Sequence, residues 1–217
     1  HTQYSICEGA ARIDDLQEYS KKNKIKSLGL CDTSNLCGAL EFAEKISKSG
    51  TQPIIGTQIN FKYKDYYGLI PLIAKNSMGY KNIIELSSKS YLENDTIHDP
   101  HCNFEDLIDF RDGIIILSGS INSLSGNLFN KGLLDEVTSI YKTLSKNFSD
   151  NFFIEIQRHN DVNEKQFENY NLEQSKILNL PIIATNEVFY IDKSMHEAHD
   201  ALMCIGQKTY VNDSNRN

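Results

Sequence analysis

The sequence lacks the features that mark several protein classes. It has no apolar run close to the ~20 residues that a membrane-spanning helix needs. Its five cysteines form no C-x-x-C pair, and an odd count suits neither a disulfide framework nor a zinc knuckle, so a reducing cytoplasm is predicted. No basic and apolar signal-peptide regions follow His1. Positive charge is scarce as well: the net charge of −7 argues against a free-standing nucleic-acid binder.

The composition that is present is that of an ordinary globular protein. Hydrophobic residues make up 40% and charged residues 24% of the 217 residues, which excludes collagen-like, coiled-coil and disordered chains. A chain of this length buries roughly 70% of its unfolded surface, so it needs no disulfide or metal to fold.

Apolar runs of strand length alternate with amphipathic helical patterns. Strands are predicted at 27–31, 53–61, 69–74, 113–117, 152–156 and 181–185, and helices at 77–91, 133–148, 163–178 and 195–205. Pro71 predicts an edge strand or a bulge. Helices between strands predict parallel pairing, and no glycine-rich phosphate loop supports a Rossmann domain. The pattern therefore favours a (β/α) barrel, in which functional residues lie at strand ends.

Three other groups of residues are candidates for a functional role. His98 and His101 flank an Asp-Pro pair in a polar loop and are interpreted as surface residues, since no cysteine pair or fixed carboxylate accompanies them. His196 and His199 are three residues apart, unlike H-E-x-x-H, which predicts a solvated helix face or a partner surface. The tyrosines and lysines of 62–67 fit a stacking platform for single-stranded DNA, a hairpin edge or a protein interface.

Eight segments resemble, in order and spacing, the amino-terminal PHP (polymerase and histidinol phosphatase) domain of bacterial DNA polymerase III alpha subunits. They are HTQYSICEGAARIDDL, LCDTSNLCGALEFAEK, QPIIGTQINF, LIAKNSMGYKNI, GIIILSGS, FFIEIQRHND, PIIATNEVFYID and HEAHDALMCIGQKTYVNDSNR. The resemblance implies an α/β fold, a PHP-type distorted (β/α)7 TIM-like barrel over residues 1–217, with its first strand truncated. From about residue 195 it implies the passage towards the polymerase core.

PHP domains that keep their chemistry bind a cluster of metal ions through His, Asp, Glu and Cys at strand ends. Such ions clamp a phosphoester and activate a water molecule. The resemblance identifies nine vestigial ligand positions: His1, Glu8, Asp32, Thr33, Gln58, Leu69, Ser120, Glu187 and Phe189. Five of them carry neutral side chains that are poor ligands or none: Thr33, Gln58, Leu69, Ser120 and Phe189. We therefore expect no bound metal, no cofactor and no catalytic residue in this chain.

The retained residues also have ordinary structural interpretations. His1 alone is expected to be a solvated terminal histidine. Glu8 and Asp32 are interpreted as helix caps or partners of nearby cations, with residual metal binding as the alternative. Ser120 is expected to form a tight strand-to-helix turn and not to be a nucleophile.

The resemblance implies a cytoplasmic scaffold within a DNA-directed DNA polymerase, a nucleotidyltransferase whose core uses Mg²⁺. The implied partners are the rest of the alpha subunit, the proofreading exonuclease subunit and, through the parent protein, DNA. The alternative is an active phosphoesterase or 3′–5′ exonuclease, with Zn²⁺ or Mn²⁺ bound by His1, Glu8, Asp32, His159 and Glu187. A third hypothesis, a barrel enzyme acting on a small metabolite, requires a pocket of convergent polar groups at the strand ends.

Overall fold

The computed structural model describes residues 1–94 and 99–213, so His98 lies outside the described residues. In chain order the helices are α1 (Ile13–Asn23), α2 (Ala39–Lys48), α3 (Ser77–Leu92), α4 (Phe104–Asp109), α5 (Leu124–Asn130), α6 (Leu134–Phe148), α7 (Glu164–Leu178) and α8 (His196–Gln207). The strands are β1 (Ser27–Thr33), β2 (Gln52–Tyr63), β3 (Tyr66–Ala74), β4 (Cys102–Asn103), β5 (Ile114–Leu117), β6 (Phe152–Ile156) and β7 (Ile182–Ala184).

The chain divides into two compact units. The first unit comprises residues 1–55 and 187–217, and the second unit comprises residues 56–186, so the boundary falls inside β2. None of the helices within the described ranges is long and apolar enough to cross a membrane.

The first unit follows its sequence pattern closely. Helix α1 has acidic residues in its first turn and basic residues in its last, as the helix dipole favours. Helix α2 buries Phe42 and Ile46, which are four residues apart and therefore lie on the same face. Strand β1 lies beside the start of β2, where the Gln52 N–H donates to the Lys26 carbonyl over 2.9 Å.

The second unit carries a mixed sheet. Its strands pair in the order β2-β3-β5-β6-β7, and β4 pairs with β2. The pairs β5–β6 and β6–β7 are parallel, as predicted, because helices connect these strands. The pairs β2–β3 and β3–β5 are antiparallel, so the prediction of parallel strands is wrong there. Only Lys64 and Asp65 separate β2 from β3, which is too short for a crossover.

Strand β3 shows how the sheet accommodates a proline. It pairs with strands on both sides, so the prediction of an edge strand at Pro71 is wrong. Pro71 lies opposite Gln58 of β2, and pairing with β5 begins at Leu72. Proline has no backbone N–H to donate, and the ladder to β5 begins only after it.

The core of the second unit consists of buried strand and helix side chains. Among those that are 0% exposed are Ile59, Leu72, Ile83, Leu86, Ile114 and Ile154. Two short helices, α4 and α5, are not predicted from the sequence. Ser123 caps the amino-terminal end of α5, because its hydroxyl oxygen accepts the Gly126 N–H.

Candidate functional site

Asp32 stands at the end of β1, where the sequence places a vestigial metal ligand. It is 1% exposed. Its Oδ1 accepts the Thr2 N–H over 2.5 Å and the Ser5 hydroxyl over 2.8 Å, and its Oδ2 accepts the Thr2 hydroxyl over 2.7 Å. The carboxylate therefore anchors the loop of residues 2–5 to the end of β1.

Thr33 is one of the vestigial ligand positions that the resemblance implies, and it lies at the end of β1. Its hydroxyl donates to Glu8 Oε2 over 2.6 Å, and its backbone N–H donates to the Ser5 hydroxyl oxygen over 3.1 Å. A direct hydrogen bond thus joins two of the vestigial ligand positions.

Several neighbours hold His1 in place. Its side chain is only 4% exposed. Nε2 lies 3.0 Å from Glu187 Oε1, Nδ1 lies 3.1 Å from the Ser5 hydroxyl, and the ring stacks on Phe189 at 4.6 Å between centroids. The prediction of a solvated terminal histidine is wrong, because Phe189 covers one ring face and Glu187 binds the ring edge.

Ser5, His1 and Glu187 lie in the order of an acyl-transfer triad, but the geometry opposes nucleophilic catalysis. The Ser5 hydroxyl donates its proton to Asp32, so it has none to give to His1. Ser5 is also 0% exposed, which denies a substrate access. The three side chains therefore form a structural network.

The two histidines of α8 differ in environment. His196 is exposed, as predicted, and lies near the Tyr190 ring. The Nε2 of His199 lies 2.7 Å from the Glu8 carbonyl oxygen, and its ring stacks on Phe189 at 5.8 Å. The prediction of a solvated position is wrong in part for His199, which is half-exposed because its ring packs on Phe189 and its Nε2 contacts the Glu8 carbonyl.

The second unit holds the remaining predicted positions. Gln58 is 8% exposed in β2, and Leu69 is part of β3. Ser120 lies in a turn after β5, where its hydroxyl oxygen accepts the Asn122 N–H over 3.2 Å and Gly119 has φ of +83°. The interpretation of Ser120 as a tight turn is confirmed.

The second unit contains a polar pocket that the sequence did not predict. The Gln157 amide donates to Glu155 Oε1 over 3.1 Å and to the Thr185 hydroxyl over 3.2 Å, and Thr185 donates to Glu155. Glu155 and Gln157 are two residues apart along β6 and its end, and this alternation was the available signal. The pocket is lined by Gly119, Ser120, Ile121, Glu155, Ile156, Gln157, Glu164, Phe167, Glu168 and Asn171.

The residues at the predicted positions do not fit the multinuclear metal centre that a PHP resemblance implies. Within residues 1–94 and 99–213, no three of His1, Glu8, Asp32 and Glu187 bring ligand atoms within 4.8 Å of one another. The positions in the second unit offer an amide, an alkyl group and a hydroxyl. Two or three divalent ions need many convergent imidazole and carboxylate ligands, which neither unit supplies at these positions.

Comparison with known proteins identifies the family. The PHP domain family model matches residues 1–159. This chain belongs to the PHP domain family.

The PHP chain is similar along nearly its whole length to DNA polymerase III alpha subunits. It is 38% identical to that of Rickettsia felis over 206 residues, which cover 94% of the chain and 17% of the relative. It is 31% identical to the subunits of Caulobacter vibrioides and Borreliella burgdorferi, covering 98% and 100% of the chain and 19% and 20% of the relatives. The chain therefore spans about a fifth of the length of the curated relatives it matches.

Two solved structures share the fold. A protein assigned as a metal-dependent phosphoesterase from Bifidobacterium adolescentis has a TM-score of 0.51 at 12% identity, covering 82% of each chain. An amidohydrolase from Chromobacterium violaceum has a TM-score of 0.51 at 9% identity, covering 90% of this chain and 93% of that one. The predicted α/β fold of the PHP barrel type is thereby confirmed.

Proposed function

We propose that this PHP chain is part of a cytoplasmic DNA polymerase III alpha subunit and acts there as a non-catalytic scaffold. In this proposal nucleotide addition, with Mg²⁺, takes place in other parts of the longer protein. Support comes from the similarity to alpha subunits along 94–100% of the chain.

One observation carries the scaffold proposal: side chains at the vestigial ligand positions bond to protein groups. Asp32 accepts three hydrogen bonds from Thr2 and Ser5, and Glu8 accepts one from Thr33. A buried carboxylate that accepts such bonds gains structural stability from them, and a cation would have to compete with these donors.

Metal analysis tests the scaffold proposal. The purified chain, dialysed against excess Zn²⁺ or Mn²⁺ and then against buffer, should retain less than two equivalents of either ion. The Glu8→Gln and Asp32→Asn variants should retain the same amount as the unmodified chain, because neither residue is expected to bind metal. Two or more equivalents that these variants lose would overturn the proposal.

Nuclease activity is the second test, since an active metal-dependent phosphoesterase or 3′–5′ exonuclease is the alternative. The chain should release no nucleotides from 3′-labelled single-stranded DNA with Mn²⁺ or Zn²⁺ present. Activity that EDTA abolishes, and that Glu8→Gln and Asp32→Asn also abolish, would establish the alternative and refute the scaffold.

The proposal includes a partner: the proofreading exonuclease subunit binds to the surface of this domain. An alpha subunit that adds nucleotides benefits from a proofreading subunit held beside it, and a domain without chemistry of its own can serve as the site that holds it. Analytical ultracentrifugation of the chain with the exonuclease subunit of the same bacterium should show a one-to-one complex. Separate sedimentation at micromolar concentrations would contradict this assignment.

A further inference from the structure

Outside the vestigial positions, the second unit brings together three side chains that suit a single metal ion. His159, Asp161 and Glu164 each offer one ligand atom, and these atoms lie within 4.8 Å of one another. His159 and Asp161 lie in the loop between β6 and α7, and Glu164 is the first residue of α7. This is the one such group among residues 1–94 and 99–213.

The loop is fixed by Glu164, which is only 9% exposed. Its Oε1 accepts the His159 N–H over 2.9 Å, and its Oε2 accepts the N–H groups of His159 and Asn160 over 2.8 Å each. A carboxylate offers about four acceptor positions, so these three contacts leave one available. His159 Nδ1 lies 3.7 Å from Glu164 Oε1.

A second observation comes from the pocket that Glu164 also lines. Asn171 is 1% exposed and lines this pocket, and its Nδ2 has no hydrogen-bond partner among the described residues. Its Oδ1 accepts the Tyr141 hydroxyl over 2.8 Å, which directs Nδ2 elsewhere. The Oε1 of Gln157 lines the same pocket and likewise lacks a partner within the described part of the chain.

The buried amide groups of Asn171 and Gln157 can each bond to a water molecule or a ligand in this pocket. A buried donor and a buried acceptor are costly unless water or a ligand satisfies them. A water molecule bound to an ion at Glu164, which lines the same pocket, would supply both kinds of partner, because water donates and accepts hydrogen bonds.

We propose that His159, Asp161 and Glu164 bind one divalent transition-metal ion of the Zn²⁺ or Mn²⁺ class. One imidazole with two carboxylates suits these ions, whereas Mg²⁺ and Ca²⁺ prefer oxygen ligands alone. Three protein ligands leave a coordination position for water. The amino-terminal end of α7 opposes a cation, but this reduces the affinity by only about two- to fivefold.

The proposed site uses none of the nine vestigial ligand positions. Its His159 is also a ligand in the alternative phosphoesterase hypothesis, whereas Asp161 and Glu164 belong to the proposed site alone. It requires only that the loop folds as described. A metal ion there would fix the loop between β6 and α7 and would leave the hydrogen-bond network around Asp32 unchanged.

Isothermal titration of the chain with Zn²⁺ tests the site. A Cys37→Ser background removes the exposed thiol, which could bind Zn²⁺ independently. We expect one equivalent to bind, and His159→Gln and Asp161→Asn each to weaken the affinity at least about tenfold, as outer-shell changes alone cost 10- to 100-fold. His196→Gln and Glu8→Gln are the matched controls and should bind as the background does.

Crystals soaked in Zn²⁺ provide a readout that does not depend on affinity. An anomalous peak within bonding distance of the His159 ring supports the site. Absence of binding up to 100-fold excess over protein overturns it, as does binding that His159→Gln and Asp161→Asn leave unchanged. One equivalent lost in these two variants, with further equivalents lost in Glu8→Gln, would support this site and overturn the scaffold proposal.

Discussion

Replacing Asp32 tests whether its carboxylate has a structural role or is a metal ligand without its ion, because the two roles predict opposite changes in the stability of the variants. Asp32→Ala removes the acceptor of three hydrogen bonds from Thr2 and Ser5. Hydrogen bonds to a charged group contribute about 1.5–3 kcal/mol each, and a buried donor left without a partner costs about 1–3 kcal/mol.

The losses from the three hydrogen bonds to Asp32 do not add in full. The hydroxyl groups of Thr2 and Ser5 can rotate towards other acceptors, but the Thr2 N–H is fixed by the backbone. We therefore expect the free energy of unfolding to fall by about 3–5 kcal/mol in Asp32→Ala. Asp32→Asn keeps the shape and one acceptor oxygen, so it should lose about 1–3 kcal/mol.

Urea denaturation followed by far-ultraviolet circular dichroism measures these changes, with EDTA present to exclude metal. Glu44→Ala, which removes an exposed carboxylate of the same unit, is the control and should change stability by less than about 0.5 kcal/mol. A carboxylate kept for metal binding would be uncompensated without the ion, and its neutralisation would leave stability unchanged or raise it. An Asp32→Asn chain as stable as the unmodified one would refute our reasoning.

Three further predictions concern other parts of the fold. Gly79→Ala should lower the free energy of unfolding by about 1–3 kcal/mol or more, since its Cβ would lie 1.7 Å from a backbone carbonyl oxygen; an unchanged urea midpoint would contradict this. Burial raises the pKa of Cys102 to about 12, so a thiol reagent at pH 8 should label the exposed Cys37 and should label Cys102 only after denaturation, as peptide mass spectrometry can show. The hydrogen bond from Lys64 lowers the pKa of Glu136 below its ordinary value of 4.5, so this carboxylate contributes stability above pH 4.5 that is lost as the pH falls through the lowered pKa. Glu136→Gln should therefore flatten the acid side of a plot of melting temperature against pH. An unaltered plot would show that the Lys64–Glu136 pair contributes nothing to stability.

The ligand chemistry at the vestigial ligand positions can be judged from the sequence, because it depends on residue type. A glutamine at 58, a leucine at 69 and a phenylalanine at 189 have the same ligand chemistry in any conformation. What surrounds these positions was not predictable. The sequence predicts a solvated His1, but its side chain is buried and bonded to Glu187, which is 186 residues away along the chain.

The sequence by itself determined the periodic elements and the family. Helices α3, α6 and α7 and strands β5 and β6 lie within a residue or two of their predicted bounds, because side-chain periodicity is a local property.

Only the tertiary structure decided how strand β3 pairs, how Asp32 is held and how His159, Asp161 and Glu164 meet at one loop. The strand pairing, the contacts of Asp32 and the three-residue group each depend on the three-dimensional positions of backbone segments that are distant in sequence or joined by a turn. That placement follows from packing the whole chain, which no window of sequence contains.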